Sequence, residues 1–306
     1  MSKSDAGVIV EKIALIPERI GTPGPGIVIY QDNQTLSDQQ LQSCGFFVPH
    51  YMGSTPNAYL MAQMPNLEVC QLLTAGFDSA LPHLPDGVTL CNAKGVHDAS
   101  TSELAIGLIL ASLRGIDDAA RAMTTGTWAH RPHASLADRR VLIIGSGGVG
   151  RAIHDRLQAF EVDIRMVGRT VREGIAAPDQ LPVLLPQSDI VVIAVPLDDS
   201  THHLVDAHFL AQMRDCSLLI NVARGAVADT RAIVQEAGRL RFALDVTDPE
   251  PLPPDHPLWS SPDVLITPHL GGNTSAFIPR ARRLVLEQFA RWSTGRPLDA
   301  VISPVL

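Results

Sequence analysis

The stretch Val141-Leu-Ile-Ile-Gly-Ser-Gly-Gly-Val-Gly150 joins an aliphatic run to a glycine-rich turn, and the helix-compatible segment 151–160 follows it. This order predicts a strand, a tight turn and a helix. Gly145 permits the sharp turn off the strand, Gly147 lets a pyrophosphate approach the backbone, and Gly150 allows the helix to pack closely on the strand. Because a helix N-terminus attracts phosphate, the stretch predicts a dinucleotide site. The alternative is a turn that binds nothing.

Length and composition narrow the class of protein. A chain of 306 residues predicts about two domains, and 45% hydrophobic with 18% charged residues excludes a largely disordered protein. The net charge of −8 argues against a nucleic-acid partner or an anionic membrane surface. No apolar run approaches the roughly 20 residues of a membrane span, and the N-terminus lacks a signal-peptide pattern. We therefore expect a cytoplasmic protein.

Cysteines and histidines give no metal pattern. The four cysteines are scattered, and we expect reduced thiols in or near the core: Cys44, Cys70, Cys91 and Cys216. His97, His202 and His203 could suggest metal ligands. However, His202 and His203 are adjacent, so on a strand or helix they would point apart, and no acidic partner stands at ligand spacing. We predict no metal site.

Strand and helix patterns alternate along the chain. Residues 1–95 predict short strands around a Gly-Pro turn at 21–26, a helix from Ser54 through Met64, and a parallel sheet. After Val141 the predicted strands are Val162–Val167, Ile190–Pro196, Ser217–Val222, Phe242–Asp245 and Val264–Thr267, with helices between them. The segment Phe277–Thr294 predicts an amphipathic helix.

A second helix is predicted to start near Ser100 or Thr101, with Glu103 in its first turn. Its residues are apolar nearly all round, which predicts burial between domains or against a partner subunit. An irregular segment follows to Ala137.

The end of the second strand after the glycine turn indicates which dinucleotide binds. An acidic residue there would hold the ribose 2′-hydroxyl of NAD, whereas an arginine suits the 2′-phosphate of NADP. Gly168 takes the place of the acid, and Arg169, Thr170 and Arg172 follow it. We therefore predict that NADP(H) is preferred, with NAD(H) as the alternative. The two arginines could also be ordinary surface residues.

Several motifs together resemble the D-isomer-specific 2-hydroxyacid dehydrogenase family. Besides the glycine motif, they are Val195-Pro-Leu197, Asn221-Val-Ala-Arg-Gly225, Leu244-Asp-Val-Thr-Asp-Pro-Glu250-Pro and Thr267-Pro-His-Leu-Gly-Gly272. Their order and spacing match from about residue 65 to the end, while the first sixty residues match weakly.

The resemblance implies an α/β fold with two Rossmann/flavodoxin-like, doubly wound parallel-sheet domains and a cleft between them. The substrate domain would comprise residues 1–95 plus 276–306, and the dinucleotide domain residues 96–275. It also implies a homodimer, with the apolar helix and the irregular segment at the interface.

In that family an arginine, a glutamate and a histidine perform the chemistry, and the motifs place them at Arg224, Glu250 and His269. Reduction of a 2-keto acid needs a cation to fix the carboxylate, which the planar donors of Arg224 can supply. His269 can protonate the carbonyl oxygen near neutral pH, and Glu250 can hold its imidazole in the protonated form. Taken singly, each residue could instead belong to an ordinary turn or loop.

Further residues are assigned partly from the strand-end patterns and partly from the resemblance. Those expected to bind the cofactor, besides the arginines, are Gly145, Gly147, Gly148, Val149, Gly150, Thr170, Val195, Pro196, Val222, Ala223, Asp245 and Gly271. Asp245 could alternatively cap a turn. The backbone amides of Thr74, Ala75 and Gly76 are expected to bind the substrate carboxylate. Independently of the resemblance, Tyr51 and Met52 stand at the end of another predicted strand and would face the same cleft if the sheet is parallel, so we expect them to shape the substrate side-chain pocket or to pack beneath the loop.

The predicted reaction is reduction of a small 2-keto acid, such as glyoxylate or hydroxypyruvate, by NADPH to the D-2-hydroxy acid, although the product from glyoxylate is achiral. Three alternatives stay open. A dinucleotide-sensing co-repressor would bind the cofactor without turnover. A phosphite dehydrogenase would share the glutamate, whereas formate enzymes usually carry glutamine in its place. A phosphoglycerate dehydrogenase would need additional cations in its pocket.

Overall fold

The computed structural model describes residues 12–31, 34–51, 57–261 and 263–302, and the chain divides into two units. One unit contains the chain through Val96 together with the segment from Ser275 onward, and the other contains His97–Thr274. Each unit is built on its own parallel β-sheet. The prediction of two parallel-sheet α/β domains is therefore confirmed.

The regular elements are numbered in chain order. The strands are β1 Ile13–Pro17, β2 Ile27–Tyr30, β3 Cys44–Phe47, β4 Val69–Gln71, β5 Thr89–Cys91, β6 Arg140–Ile144, β7 Asp163–Val167, β8 Ile175–Ala176, β9 Ile190–Ile193, β10 Leu218–Asn221, β11 Arg241–Leu244 and β12 Val264–Ile266. The α-helices are α1 Asp38–Ser43, α2 Asp98–Arg114, α3 Ile116–Met123, α4 Gly148–Leu157, α5 Leu181–Leu184, α6 Ala207–Ala211, α7 Thr230–Glu236 and α8 Phe277–Ser293. Short 3₁₀ segments are Ala58–Gln63, Leu81–His83, Gln158–Phe160, Pro178–Gln180, Leu185–Gln187, Gly225–Val227 and Pro257–Trp259.

The sheet of the first unit has the order β2-β1-β3-β4-β5. Helix α8 covers one face because its apolar residues Phe277, Ala281 and Val285 recur every four positions and are buried against strand residues such as Phe46. Gln288 lies on the same face of α8, one turn after Val285, and this polar residue is only 1% exposed. The Gln288 amide donates to Gln71 Oε1 at 2.8 Å and to the Asp299 carbonyl at 2.8 Å, so a buried hydrogen-bond network fastens α8 to β4.

The predicted helix through Met64 is wrong in type. Residues Ala58–Gln63 form a 3₁₀ segment, and Ser54, the expected cap, lies outside the described residues. Asn57 precedes the segment, and its side chain accepts from the His50 amide and donates to the Tyr30 hydroxyl. Because that side chain does not cap the turn, the segment has no side-chain hydrogen bond to start an α-helix.

The sheet of the second unit has the order β12-β11-β10-β9-β6-β7-β8, with every named pair parallel. Alternate strand residues point to opposite faces. Val141 and Ile143 belong to a core with α2 and α4, whereas Leu142 and Ile144 belong to a core with α6 and α7. Both faces of the sheet are therefore covered, as the near-continuous aliphatic strands predict.

Helix α2 differs from the prediction at its start. It begins at Asp98, so Ser100 and Thr101 lie inside the helix and do not cap it. Its apolar residues pack into the core of the second unit, against strand residues such as Val192 and Ile220. The helix is apolar because it lies on its own sheet, and its further burial between domains or against a partner subunit stays a prediction.

Two further corrections concern local structure. Among the described residues between β11 and β12, which are 245–261 and 263, the only helical element is the 3₁₀ turn Pro257–Trp259, because prolines at 249, 251, 253, 254 and 257 exclude an α-helix. Cys216 is exposed, so it is not a core thiol, whereas the other three cysteines are buried. Burial raises the pKa of Cys44 to about 12 and that of Cys91 to about 11, so neither thiol ionises at neutral pH.

No single helix among the described residues has the length and apolarity to cross a membrane. By those two criteria alone, the bent pair Asp98–Arg114 and Ile116–Met123 would qualify.

The Gln288 network predicts a measurable contribution to stability. Replacing Gln288 with Ala leaves the Gln71 amide oxygen and the Asp299 amide without that partner, so we expect a loss of about 1–3 kcal/mol in the free energy of unfolding. Urea unfolding followed by circular dichroism measures this loss. The exposed neighbour Glu287→Ala is the control, and equal midpoints for the two variants would contradict the prediction.

Candidate active site

Six strands of the second unit end at one level. Cα pairing joins Ile144 to Val167 and to Ile193, then Ile193 to Asn221, Asn221 to Leu244, and Leu244 to Ile266. The residues that follow these positions therefore leave the sheet along a single carboxyl edge. Chain order reverses at β6, which has β7 on one side and β9 on the other, and ligands of open α/β sheets bind at such a switch point.

The glycine turn at the end of β6 is shaped by close backbone contacts. Gly145 has a φ of +118°, and a Cβ there would lie 2.3 Å from the Ala194 carbonyl oxygen. A Cβ on Gly150 would lie 1.8 Å from the carbonyl oxygen of Gly145, so α4 starts in direct contact with the turn. At Gly147, by contrast, a Cβ would meet no atom within 4 Å.

These contacts fit a dinucleotide. Gly147 is the N-cap of α4 and supplies no side-chain cap, so its backbone is open on the side where a Cβ would project. The N–H groups of the first turn of α4 are suited to a pyrophosphate. Gly148 is a glycine for another reason, since a Cβ there would lie 2.0 Å from an Asp98 carboxylate oxygen. Val149 is half-buried in the same turn.

At the end of β7, Gly168 has no room for the acid that an NAD site would carry. A Cβ on Gly168 would lie 2.3 Å from Ser146 Oγ of the glycine turn. Arg169, Thr170 and Arg172 are exposed beyond it. Nη1 of Arg169 donates to Oδ2 of Asp198 at 2.9 Å, a partner that sequence reasoning did not identify.

Arg224 follows β10 on a turn fastened by the side chain of Asn221. The Asn221 amide donates to the Arg224 carbonyl at 3.0 Å, and its Oδ1 accepts from the Ala223 amide at 3.0 Å. Nη1 of Arg224 donates to the Ala223 carbonyl at 2.8 Å. Asn221 belongs to a family motif, but its role in shaping this turn becomes clear only from the structure.

His269 and Glu250 form the pair that the sequence predicted. Nδ1 of His269 lies 2.6 Å from Oε1 of Glu250, although 19 residues separate them in the chain. When Nδ1 donates to this carboxylate, Nε2 is the ring nitrogen that can exchange a proton with a substrate. The side chains are 30% and 42% exposed, so the pair can be reached by a small molecule.

Asp245, at the end of β11, holds the His269 turn. Its buried carboxylate accepts from Thr267 Oγ1 at 2.6 Å, the Leu270 amide at 2.8 Å and the Gly271 amide at 2.9 Å. Its carbonyl accepts from the His269 amide at 2.8 Å. His269 itself has a φ of +51°. Asp245 thus has the turn-capping role considered from the sequence, and its contact with the nicotinamide stays a prediction.

The other predicted cofactor residues lie on the same edge. Val195 is half-buried and Pro196 exposed after β9, whereas Val222 and Ala223 are buried after β10. Gly271 is buried beneath Asp245, where a Cβ would lie 3.0 Å from its carboxylate. The structure thus brings all predicted cofactor positions to six neighbouring strand ends.

The predicted substrate residues of the first unit are positioned by local contacts. The Asn92 amide donates to the Ala75 carbonyl at 2.7 Å, and Thr74 Oγ1 donates to the Gly76 carbonyl at 2.6 Å. Tyr51 stacks on Phe277 with ring centroids 3.9 Å apart, and both line a small pocket. Met52 lies outside the described residues. Asn92 was missed because its partner is 17 residues away.

The histidines considered as ligands occupy other roles. His97 is buried at the start of α2. His202 and His203 lie in a turn and not on a strand or helix, so their adjacent rings stack with centroids 4.0 Å apart. Among the described residues, no group of three or more His, Cys, Asp or Glu side chains could hold a metal ion.

One edge of this sheet thus carries a glycine turn at a helix N-terminus, an arginine and a histidine–carboxylate pair, a combination typical of dinucleotide-dependent dehydrogenases. Residues 106–271 match the family described as D-isomer specific 2-hydroxyacid dehydrogenase, NAD binding domain. The chain belongs to this family. It is an NAD(P)-dependent oxidoreductase that transfers hydride.

Three relatives illustrate the similarity. A glyoxylate reductase from Thermofilum pendens is 35% identical over 253 residues, which cover 77% of this chain and 73% of the relative. A D-isomer specific 2-hydroxyacid dehydrogenase from Xanthobacter autotrophicus, solved with NADPH and MES, aligns with a TM-score of 0.79 and 27% identity over 96% of this chain and 98% of that one. An NADPH-dependent glyoxylate/hydroxypyruvate reductase from Sinorhizobium meliloti, solved with NADP and malonate, aligns with a TM-score of 0.78 and 25% identity over 96% of this chain and 97% of that one.

The glycine geometry predicts that one glycine-to-alanine substitution lowers stability and that another lowers dinucleotide affinity. Gly150→Ala forces a methyl group against the Gly145 carbonyl, so we expect a loss of about 1–3 kcal/mol or more in stability. Gly147→Ala adds its methyl group in open space, so stability should hold. Dinucleotide affinity should fall about tenfold or more, since hydrogen bonds to charged groups contribute about 1.5–3 kcal/mol.

Thermal unfolding and fluorescence titration with NADPH separate the two effects. If Gly147→Ala bound NADPH as tightly as the wild type, the pyrophosphate would not lie against this turn.

Proposed function

We propose that the protein reduces a small 2-keto acid of the glyoxylate or hydroxypyruvate type to the D-2-hydroxy acid, with NADPH as the preferred cofactor and NADH as the alternative. The observation that carries the proposal is the 2.6 Å contact between His269 Nδ1 and Glu250 Oε1, on a turn that Asp245 holds in place. The names of the glyoxylate reductase relatives support the substrate class.

The proposed mechanism divides substrate binding, proton transfer and orientation of the imidazole among three side chains. The nicotinamide, when bound, supplies the hydride that reduces the carbonyl carbon. Arg224 binds the substrate carboxylate and polarises the adjacent carbonyl with its planar donors. Nε2 of His269 donates a proton to the carbonyl oxygen, which becomes the hydroxyl group of the product. Glu250 orients the imidazole and stabilises its positive charge before transfer.

Substrate selection is assigned to the first unit. The backbone amides of Thr74, Ala75 and Gly76 would bind the carboxylate, because Asn92 fixes this loop through the Ala75 carbonyl. Tyr51 would contribute to the side-chain pocket. The first unit ends at Val96 and resumes at Ser275, and this division of the chain supports assigning the cofactor to the second unit, residues 97–274.

The proposal includes a homodimer in the cytoplasm, without a nucleic-acid or membrane partner. In the second unit, Met123 at the end of α3 is 80% exposed and Trp128 shortly after it is 93% exposed, and exposed large apolar side chains such as these are suited to a subunit interface. All four cysteines are free, in keeping with a reducing compartment.

The proton-transfer role of His269 predicts a large loss of turnover. Against a panel of glyoxylate, hydroxypyruvate, pyruvate and phenylpyruvate, His269→Ala should reduce kcat about 10²- to 10⁴-fold, while NADPH binding is retained. Absorbance at 340 nm measures the rate. His208→Ala, an exposed histidine on α6, is the control. Dinucleotide binding without turnover of any acid in the wild type would contradict the proposed reaction.

The cofactor preference predicts a reversal in Arg169→Asp. The substitution removes a cation from the 2′-phosphate position and supplies a carboxylate that can accept from the ribose hydroxyl. We expect kcat/KM to favour NADPH in the wild type and to shift toward NADH in the variant. A wild type that prefers NADH would disprove the role of Arg169 and leave the reductase assignment intact.

A further inference from the structure

Arg169 is held by a carboxylate on the far side of the glycine turn. Its Nη1 donates to Oδ2 of Asp198 at 2.9 Å. Arg169 follows β7 and Asp198 lies in the loop after β9, and these two strands flank β6. The ion pair therefore spans the strand end at which the glycine turn begins. It joins two segments that the proposed cofactor site uses.

Hydrogen bonds within its own loop hold the Asp198 side chain in place, independently of Arg169. Its Oδ1 accepts from the hydroxyl of Ser200 at 2.6 Å and from the Ser200 amide at 3.0 Å. The buried hydroxyl of Thr201 accepts from the Asp198 amide at 2.8 Å and donates to the Pro196 carbonyl at 2.7 Å. The loop thus presents Oδ2 of a positioned carboxylate, and the longer side chain of Arg169 adapts to it.

The carboxylate stays ionised at neutral pH. The hydrogen bond from the Ser200 hydroxyl is the largest cause that lowers the pKa of Asp198, and the Ser200 amide and the positive charge of Arg169 lower it further. Partial burial opposes these effects but does not outweigh them. The partner of Arg169 is therefore a carboxylate that carries a negative charge at neutral pH.

The position of this charge bears on the choice of cofactor. The strand end itself has Gly168 in place of an acid, and the space beside it is filled by Ser146. The negative charge comes instead from the next loop. Arg169 is 69% exposed and paired, whereas no ion pair within the described ranges involves Arg172. A guanidinium paired with a carboxylate attracts a phosphate dianion less strongly than an unpaired guanidinium does. Binding of the ribose hydroxyl of NAD is not weakened in this way, because that hydroxyl is neutral.

We infer that Asp198 sets the strength of the NADPH preference by holding Arg169. It is a positioning residue, and its presence weakens discrimination in favour of the 2′-phosphate. The inference rests on the dinucleotide site proposed above and adds a residue that the strand-end pattern does not contain. It makes the protein tolerant of both cofactors, with a preference that one substitution can sharpen.

Binding of two small probes tests this without turnover. Adenosine 2′,5′-bisphosphate carries the 2′-phosphate and AMP lacks it. In Asp198→Asn, which keeps the size and the acceptor oxygen, isothermal calorimetry should show bisphosphate affinity raised about two- to fivefold, as befits an exposed ion pair, with AMP unchanged. In turnover, KM for NADPH should fall relative to that for NADH, with kcat unchanged.

Two controls make the test specific. Asp199→Asn removes a neighbouring exposed charge without releasing Arg169, and it should leave the ratio of affinities unchanged. In an Arg169→Ala background, Asp198→Asn should lose its effect, because the guanidinium through which it acts is gone.

The inference is overturned by an unchanged or lower bisphosphate affinity in Asp198→Asn, by an equal effect of Asp199→Asn, or by an effect that persists without Arg169. A wild type that does not distinguish the bisphosphate from AMP would overturn both this inference and the proposed cofactor preference. Failure of every 2-keto acid in the turnover panel would leave the binding test unaffected.

Discussion

In the first turn of helix α4, which begins at Gly148, the backbone of Gly150 lies directly against that of Gly145, and the candidate site depends on this contact. A side chain at Gly150 would overlap the Gly145 carbonyl, so the helix and the strand end approach as closely as backbone allows. The first turn of the helix is thereby brought to the end of β6, where the sheet order reverses. Phosphate-binding N–H groups and the switch point of the sheet coincide for this geometric reason.

A second constraint is the burial of the Asp245 carboxylate, which is 3% exposed. A buried carboxylate is costly unless donors surround it, and here the donors are Thr267, Leu270 and Gly271 on both sides of His269. The need to satisfy Asp245 therefore fixes the turn on which His269 sits. The turn held by these hydrogen bonds carries the imidazole whose Nδ1 lies 2.6 Å from Glu250 Oε1.

Local patterns predicted much of this molecule, and contacts between distant segments account for what they missed. Strand positions and the glycine turn could be read directly, since aliphatic runs and glycine spacing are local signals. The start of α2 was misplaced because Ser100 and Thr101 are good caps in isolation, yet the chain is already helical at Asp98. The Asp198–Arg169 pair, 29 residues apart, leaves no periodic trace. The His269–Glu250 pair was accessible only because both residues lie in recognisable motifs.

Register explains why the candidate groups act together although they are scattered over more than a hundred residues. Ile144, Val167, Ile193, Asn221, Leu244 and Ile266 are paired across the sheet. Because side chains alternate between faces, a slip of one residue in β11 would turn its core residues toward the wrong face and shift Asp245 relative to the His269 turn. Burial of both sheet faces thus enforces the alignment of the site. The hydrophobic core is therefore what holds Arg224, Glu250 and His269 at one edge.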